Sequence, residues 1–378
     1  MILPTKQRIN IFSADRLSLE NLVDDLGASN YRAQQILRWL YQRKVLDISE
    51  MTDLSKDFRE QLSAISEIRL PEIVSKKISV DGTIKWLMRV SNGNCIETVM
   101  IPDGRRKTLC ISSQIGCMLD CSFCSTGKQG FNGNLEVSDI IGQVFLAQEE
   151  LAKTGQSITN VVLMGMGEPL LNFDAVIKAT NLMMDDLGFG ISKRRITVST
   201  AGYVPGIYEL AKVTDVSLAV SLHAPNDELR NVLVPLNKKF PIADLLDACQ
   251  HYLQTLGGKR SVTIEYIMIK DVNDQLDCAR QLTRLLRGMR CKINLIPFNP
   301  FPGSTYDRPS ENTIRKFQDV LVGAGYATLK RTTRGEDISA ACGQLVGAVD
   351  DRTKRKARYL NRIGESQVDN IAFRQVEN

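Results

Sequence analysis

The sequence predicts an α/β protein: a partial, open (β/α)6 barrel, with an N-terminal helical accessory domain and a β-hairpin extension ahead of it. Three observations carry this prediction. Apolar residues recur at helical spacing through residues 1–70, the period drops to two across 71–113, and strand-like runs then alternate with helical ones. At 378 residues and 43% hydrophobic content, the chain can bury one large core or two to three smaller ones.

In the first segment, Leu19, Leu22, Val23 and Leu26 follow Ser18, the expected N-cap, and Gly27 ends the run. A second helix places Ala33, Ile36, Leu37 and Leu40 on one face, with Arg32, Arg38, Arg43 and Lys44 on its other side and end. From 71 to 106, Asp81-Gly82, Asn92-Gly93 and Asp103-Gly104 punctuate alternating apolar runs and predict a hairpin meander. Within it Glu97 shares a face with Cys95 and Val99. Strands are then expected at 108–112, 160–164, 195–199, 216–221, 262–269 and 292–297, with helices around 138–152, 173–187, 243–256 and 276–288. Six strands are too few for a complete eight-fold barrel. Sites in such sheets gather at the carboxyl ends of strands, where 165–169, 199–202, 221–223 and Asn299 fall. In the tail, 347–378, periodicity fades from Asp350 onward, and Arg352, Lys354, Arg355, Lys356 and Arg358 crowd its start. It reads either as a flexible basic tail touching phosphate or as a merely solvated one.

No apolar run approaches the ~20 residues that span a bilayer. The stretch Met1-Ile2-Leu3-Pro4-Thr5-Lys6 lacks a signal-peptide centre, so a cytoplasmic protein is expected. In a reducing compartment the nine cysteines favour metal binding or catalysis over a disulfide framework. A net charge of +5 is a modest hint of a polyanionic partner.

The most specific feature is Cys117-Met118-Leu119-Asp120-Cys121-Ser122-Phe123-Cys124. Three thiolates at this spacing can hold three corners of a cubane iron–sulfur cluster and leave the fourth iron open to a small molecule. Zinc would want a fourth nitrogen or sulfur ligand, usually in two separated pairs, and the other cysteines and both histidines, His223 and His251, lie far off in sequence.

C-x3-C-x2-C with an aromatic before the last cysteine resembles the signature of the radical S-adenosylmethionine (SAM) superfamily. The flanking Leu109-Cys110-Ile111-Ser112-Ser113-Gln114-Ile115-Gly116 and Cys124-Ser125-Thr126-Gly127 narrow the resemblance to the RlmN/Cfr family of RNA adenine methyltransferases. So do Met164-Gly165-Met166-Gly167-Glu168-Pro169-Leu170, Ser221-Leu222-His223-Ala224, Pro297-Phe298-Asn299-Pro300 and Arg334-Gly335-Glu336-Asp337 running into Cys342-Gly343-Gln344.

The resemblance implies a radical SAM barrel over 107–346 holding one 4Fe-4S cluster on Cys117, Cys121 and Cys124, and using two SAM molecules per turnover. It also implies methylation of adenosine carbon 2 in 23S rRNA and in tRNA next to the anticodon, with an electron donor such as flavodoxin, by a monomer that touches no membrane. Cys342 accepts a methyl from the first SAM. A 5′-deoxyadenosyl radical from the second takes a hydrogen from that S-methyl group, whose carbon then adds to adenine. Glu97 removes the ring proton, and Cys110 releases the RNA by forming a transient disulfide with Cys342. Gly167, Glu168, Ser199, Ser221, Leu222, His223 and Asn299 would contact SAM, and the first 70 residues would touch RNA or present an ordinary solvated face. Cys95, Cys249, Cys278 and Cys291 read as small hydrophobes. The nearest alternative is the carbon-8-specific branch of the same family. More distant ones are a radical SAM activase or mutase and a zinc-bound RNA-binding protein.

Overall fold

In the computed structural model, residues 8–257, 260–348, 353–355, 358, 359 and 361 are described. At the amino terminus β1 (Ile9–Asn10) and β2 (Ser66–Glu67) pair in parallel and enclose α1 (Arg16–Asp25), α2 (Tyr31–Leu37) and α3 (Lys56–Ile65). Helix α1 is capped by Asp15 rather than by Ser18: the Asp15 carboxylate accepts the Ser18 amide at 3.1 Å. A charged cap also faces the positive end of the helix dipole, which a serine does not exploit. Ala33, Ile36, Leu37 and Leu40 are all fully buried, as their spacing predicts. Three of the four basic residues beside them serve contacts within the protein. Arg32 donates to Gln35 and to the Asp53 carbonyl, Arg43 lies 4.1 Å over the Trp39 ring, and Lys44 pairs with Glu149. The module is seated on the barrel by Arg16, which grips the Asp185 carboxylate at 2.8 and 2.6 Å, and by Phe12, edge-on to Phe145.

The hairpin meander forms as β3 (Glu72–Ile78), β4 (Ile84–Arg89), β5 (Cys95–Asp103) and β6 (Arg106–Cys110), each antiparallel to the next. Strand β6 then pairs in parallel with β9 (Asn160–Leu163), so meander and barrel share one sheet. A small antiparallel pair, β7 (Gln114–Gly116) and β8 (Phe131–Asn134), lies between them in sequence and carries the cysteine loop and α4 (Ser125–Gln129). Parallel pairing continues through β10 (Ile196–Thr200), β11 (Ser217–Ser221), β12 (Val262–Met268), β13 (Cys291–Pro297) and β14 (Ala327–Lys330). The ten-stranded order is β14-β13-β12-β11-β10-β9-β6-β5-β4-β3. Strand β14 is a seventh parallel strand beyond the six expected; its four residues are mostly exposed and too short to show a period.

Helices α5 (Val137–Ala152), α6 (Phe173–Met184), α9 (Ile242–Thr255) and α10 (Leu276–Leu285) lie where the spacing placed them. Three more, α7 (Val204–Val213), α8 (Asp227–Leu233) and α11 (Glu311–Gly323), were not anticipated. Helix α7 opens with Pro205-Gly206, which reads as a breaker, although proline is well suited to a first turn. Helix α11 was legible: Ser310 caps the Thr313 amide at 3.1 Å, and Ile314, Phe317 and Leu321 are buried at helical spacing. One face of the parallel strands is apolar, with Ile264, Tyr266, Ile293 and Leu295 fully buried, whereas the other carries polar groups such as Glu265 and Asn294.

Candidate active site

Between β7 and α4 the chain folds three cysteines into one loop. Gly116 sits at φ +72°, and a Cβ there would lie 1.7 Å from the Gly130 carbonyl oxygen, so only glycine fits. The Cys117 amide donates to that same oxygen at 3.0 Å, the Ser122 amide to Leu233 at 3.1 Å, and the Cys124 amide to Cys121 at 3.2 Å. Cys121 and Cys124 pack against an apolar cluster containing Phe123, Leu233, Phe298 and Phe301. Burial pushes the Cys117 thiol up to about 12 and Cys121 well above its ordinary value, and the neighbouring thiols raise both further. Binding of thiophilic iron removes those protons. Among the described residues no three His, Cys, Asp or Glu side chains converge where a single metal ion would sit. In a cubane each thiolate binds its own iron, so the three sulfurs need only line one pocket. The donor set and its apolar shell fit such a cluster.

Beside this loop lies a cavity of about 420 Å³ whose walls include Cys110, Cys124, Cys342, Asn294, Asn299 and Arg331. Cys110 ends β6 at the cavity floor; burial pushes its thiol up to about 12, and Cys342 raises it further. Burial also raises the Cys342 thiol, while the positive charge of Arg331 pulls it back. The Cys342 segment is anchored on both sides. Asn299 donates to the Cys342 carbonyl at 3.2 Å, Ser125 to Gly343 at 2.7 Å, and Thr126 to Leu345 at 2.7 Å. Glu97 is buried at its foot: one oxygen pairs with Lys85 at 2.8 Å, the other accepts the Val346 amide at 2.9 Å, and Lys85 also donates to the Ser339 carbonyl. Glu97 therefore holds the Cys342 segment and does not itself line the cavity. All nine cysteines are free thiols, so the expected Cys110–Cys342 bridge is not formed in this structure.

The residues expected to contact SAM gather at adjacent strand ends, mostly on another wall of the cluster loop rather than in this cavity. Gly167 has φ +99°, and a Cβ there would fall 2.5 Å from the Gln114 side chain. Glu168 is buried and accepts the Ala201 amide at 2.7 Å and the Leu170 amide at 3.2 Å; burial pushes its pKa up to about 7. The Thr200 hydroxyl also hydrogen-bonds this carboxylate, which leaves one acceptor site for a ligand. The Ser199 and Ser221 hydroxyls, at the ends of β10 and β11, have no protein partner among the described residues. His223 has φ +62°, and its Nδ1 accepts the Ile267 amide at 3.0 Å, which leaves Nε2–H as a donor. Its ring stands 4.7 Å from Phe123, and burial followed by Arg230 lowers its pKa to about 3. Leu222 is fully buried and can offer only its backbone. Asn299 is spoken for by Cys342, Arg308 and Thr333, so it orders the Cys342 segment. Free hydroxyls, an imidazole N–H and one spare carboxylate acceptor site on one wall suit a polar, charged ligand such as SAM.

Comparison with known proteins decides the family. Residues 9–68 match the Ribosomal RNA large subunit methyltransferase N-terminal domain, and residues 111–281 match the Radical SAM superfamily. The chain is 59% identical to the dual-specificity RNA methyltransferase RlmN of Pseudomonas putida over 93% of its own length and 94% of the relative's. It is also 59% identical to the protein of the same name from Marinobacter nauticus, over 94% and 97%. The chain belongs to the RlmN family. A crystal structure of a radical SAM methyltransferase from Sphaerobacter thermophilus superposes with a TM-score of 0.83 at 42% identity, covering 89% of this chain and 99% of that one. Like its family, the chain uses a 4Fe-4S cluster and SAM.

Two features of this RlmN-family site escaped the sequence reading. Arg230, fully buried on α8, donates to the carbonyls of Leu222, Ala201 and Ser221 and to the Asn237 side chain, tying the ends of β10 and β11 together. No motif or spacing in the sequence singles it out. Within the basic tail Arg355 is anchored, donating to the Cys117 and Gly127 carbonyls at 3.3 and 3.1 Å, while Lys354 and Arg358 are exposed. Arg352 and Lys356 lie outside the described residues. No helix among the described residues is long and apolar enough to cross a membrane.

Proposed function

We propose that this chain is a dual-specificity RNA methyltransferase that methylates carbon 2 of adenosine in 23S rRNA and in tRNA next to the anticodon. The observation that carries this reading is the single cavity shared by Cys342, Cys110 and the cluster ligand Cys124. Adenine carbon 2 lies between two ring nitrogens and is electron-poor, so it offers no nucleophile to the electron-poor methyl of SAM. Bound to Cys117, Cys121 and Cys124, the cluster supplies the electron that makes radical chemistry on SAM available.

The chain's own residues do the rest. Cys342 is the nucleophile that first takes a methyl, its thiolate favoured by Arg331. Glu97, buried behind the Cys342 segment on Lys85 and the Val346 amide, is the acceptor of the ring proton once that segment shifts to open it to the cavity. Cys110 is the second thiol, placed to attack the Cys342 sulfur and release the RNA. Gly167, Glu168, Ser199, Ser221, Leu222 and His223 bind SAM, and Asn299 holds the nucleophile's segment. Residues 1–70 form an RNA-contacting module, 71–106 an extension and 107–346 the catalytic core. The protein works as a monomer in the cytoplasm, reduced by a flavodoxin-like donor. Mass spectrometry of nucleosides from RNA incubated with reconstituted protein, SAM and reductant tests the reading. It should yield 2-methyladenosine; 8-methyladenosine would move the chain to the carbon-8 branch, and unmodified RNA would remove the proposal.

A further inference from the structure

The mouth of the Cys342 cavity is formed by two stretches of chain, the start of β6 with Arg106 and the segment leaving β14 from Leu329 to Arg334. Arg106 is exposed and Arg334 half-exposed, and neither has a hydrogen-bond or ion-pair partner among the described residues. Both mounts are stiff. Arg106 lies in the ten-stranded sheet, opposite Asp103 in the β5–β6 register. Arg334 precedes Gly335, whose amide donates to Asp81 at 3.0 Å and whose Cβ, if it had one, would fall 2.8 Å from Ala340. Three residues on, Asp337 accepts from Ser79 and from the Val80 amide. The β3–β4 turn therefore clamps this segment in place. Lys330, also at the mouth, is neutralised by Glu311 at 2.6 Å. Asp103 shares the mouth, but the balance with Arg106, Arg331 and Arg334 is positive. Leu329, on the edge strand, is 64% exposed and lines the same opening.

We infer that Arg106 and Arg334 hold the phosphates on either side of the target nucleotide, and that Leu329 takes the place of the base it leaves behind in the stack. This rests on the RNA-methyltransferase reading. A base reaches a buried nucleophile only by leaving its stack, which costs a few kcal/mol. Proteins offset that cost with cations on the flanking backbone and an apolar side chain against the vacated face. The mouth offers that combination: two unpaired guanidiniums on rigid mounts and an exposed leucine.

The test is the salt dependence of binding between the full-length protein and a fluorescent rRNA hairpin carrying the target adenosine. Arg106→Ala and Arg334→Ala should each flatten the slope of log affinity against log salt by about 0.7, the share of one single-stranded phosphate contact. Arg106→Lys and Arg334→Lys should keep the slope, which separates lost charge from lost structure. Lys212→Ala, on α7, should leave it unchanged. With 2-aminopurine at the target position, Leu329→Ser should keep the slope but reduce the fluorescence rise that reports unstacking. Unchanged slopes in both alanine variants, or an equal flattening in Lys212→Ala, would overturn the clamp. A hairpin bound with the expected slopes yet left unmethylated would instead sink the function reading, and with it the flanking of a target nucleotide, leaving Arg106 and Arg334 as RNA phosphate contacts alone.

Discussion

Cys342 and Cys110 are buried thiols whose apolar surroundings favour the protonated form, so each depends on a neighbour to react. The charge of Arg331 favours both thiolates, but Cys110 also meets the opposing charge of Cys342 itself, so in the proposed mechanism Cys110 is suited to act late, once the Cys342 sulfur is substituted and uncharged. Replacing Cys110 with alanine should therefore leave the earlier steps intact and trap a protein–RNA adduct, visible as a slow band on a denaturing gel. Cys342→Ala should give neither adduct nor product. Free RNA and full turnover in Cys110→Ala would remove that thiol from the mechanism. His223 makes a second residue-scale prediction. Its folded pKa of about 3 lies below the unfolded value, so the native state binds fewer protons at intermediate pH. Its contribution is complete above about pH 6.5 and declines as pH falls toward 3, by at most about 1.4 kcal/mol per pH unit. Urea titrations at pH 7 and pH 5 should show His223→Gln losing less stability on acidification than the parent; equal losses would refute the assignment. Cys117, Cys121 and Cys124 were legible because ligand spacing is local, whereas Cys342 and Cys110 were legible only through the family resemblance of their flanking motifs. The Lys85–Glu97 pair was not, because it arises from cross-strand neighbours twelve positions apart that no local pattern marks.

At the scale of elements, the cluster loop depends on a turn more than on its cysteines. Gly116 closes against Gly130, and no side chain fits between them. Gly116→Ala should push β7 from β8, costing about 1 kcal/mol for the left-handed backbone alone and more for the clash. The displaced loop should then hold less iron, measured per chain after anaerobic reconstitution. Full iron content in that variant would show that the loop tolerates the shift. The long amphipathic helices and apolar strands were readable because their periods run for several turns or pleats. Helix α8 and strand β14 are too short for a period to emerge, and α7 hides behind its proline and glycine.

The whole molecule joins meander and barrel through β6, whose two edges pair with β5 antiparallel and β9 parallel. Periodicity announced both halves but not their continuity, since alternation shows that strands exist and not which ones pair. That junction matters for the chemistry: β6 ends at Cys110 and leads directly into the cluster loop, so the second thiol and the cluster ligands are carried on one continuous run of chain. Cys342 returns from the far end of the sequence, pinned to α4 through Thr126 and Leu345. In the proposed mechanism Cys342 and the cluster ligand Cys124 line one cavity, and the strand-end wall that would bind SAM adjoins the same cluster loop, so one SAM site serves first the methyl donor and then, after exchange, the radical source. Equilibrium binding should therefore saturate at one SAM per chain, while turnover consumes two. Isothermal titration under anaerobic conditions measures the first number. The second is the sum of S-adenosylhomocysteine and 5′-deoxyadenosine released per methyladenosine formed, with one of each expected. Saturation at two SAM per chain would mean separate sites for the two uses, and the shared cavity would no longer explain how one methyl group passes through Cys342 to the base.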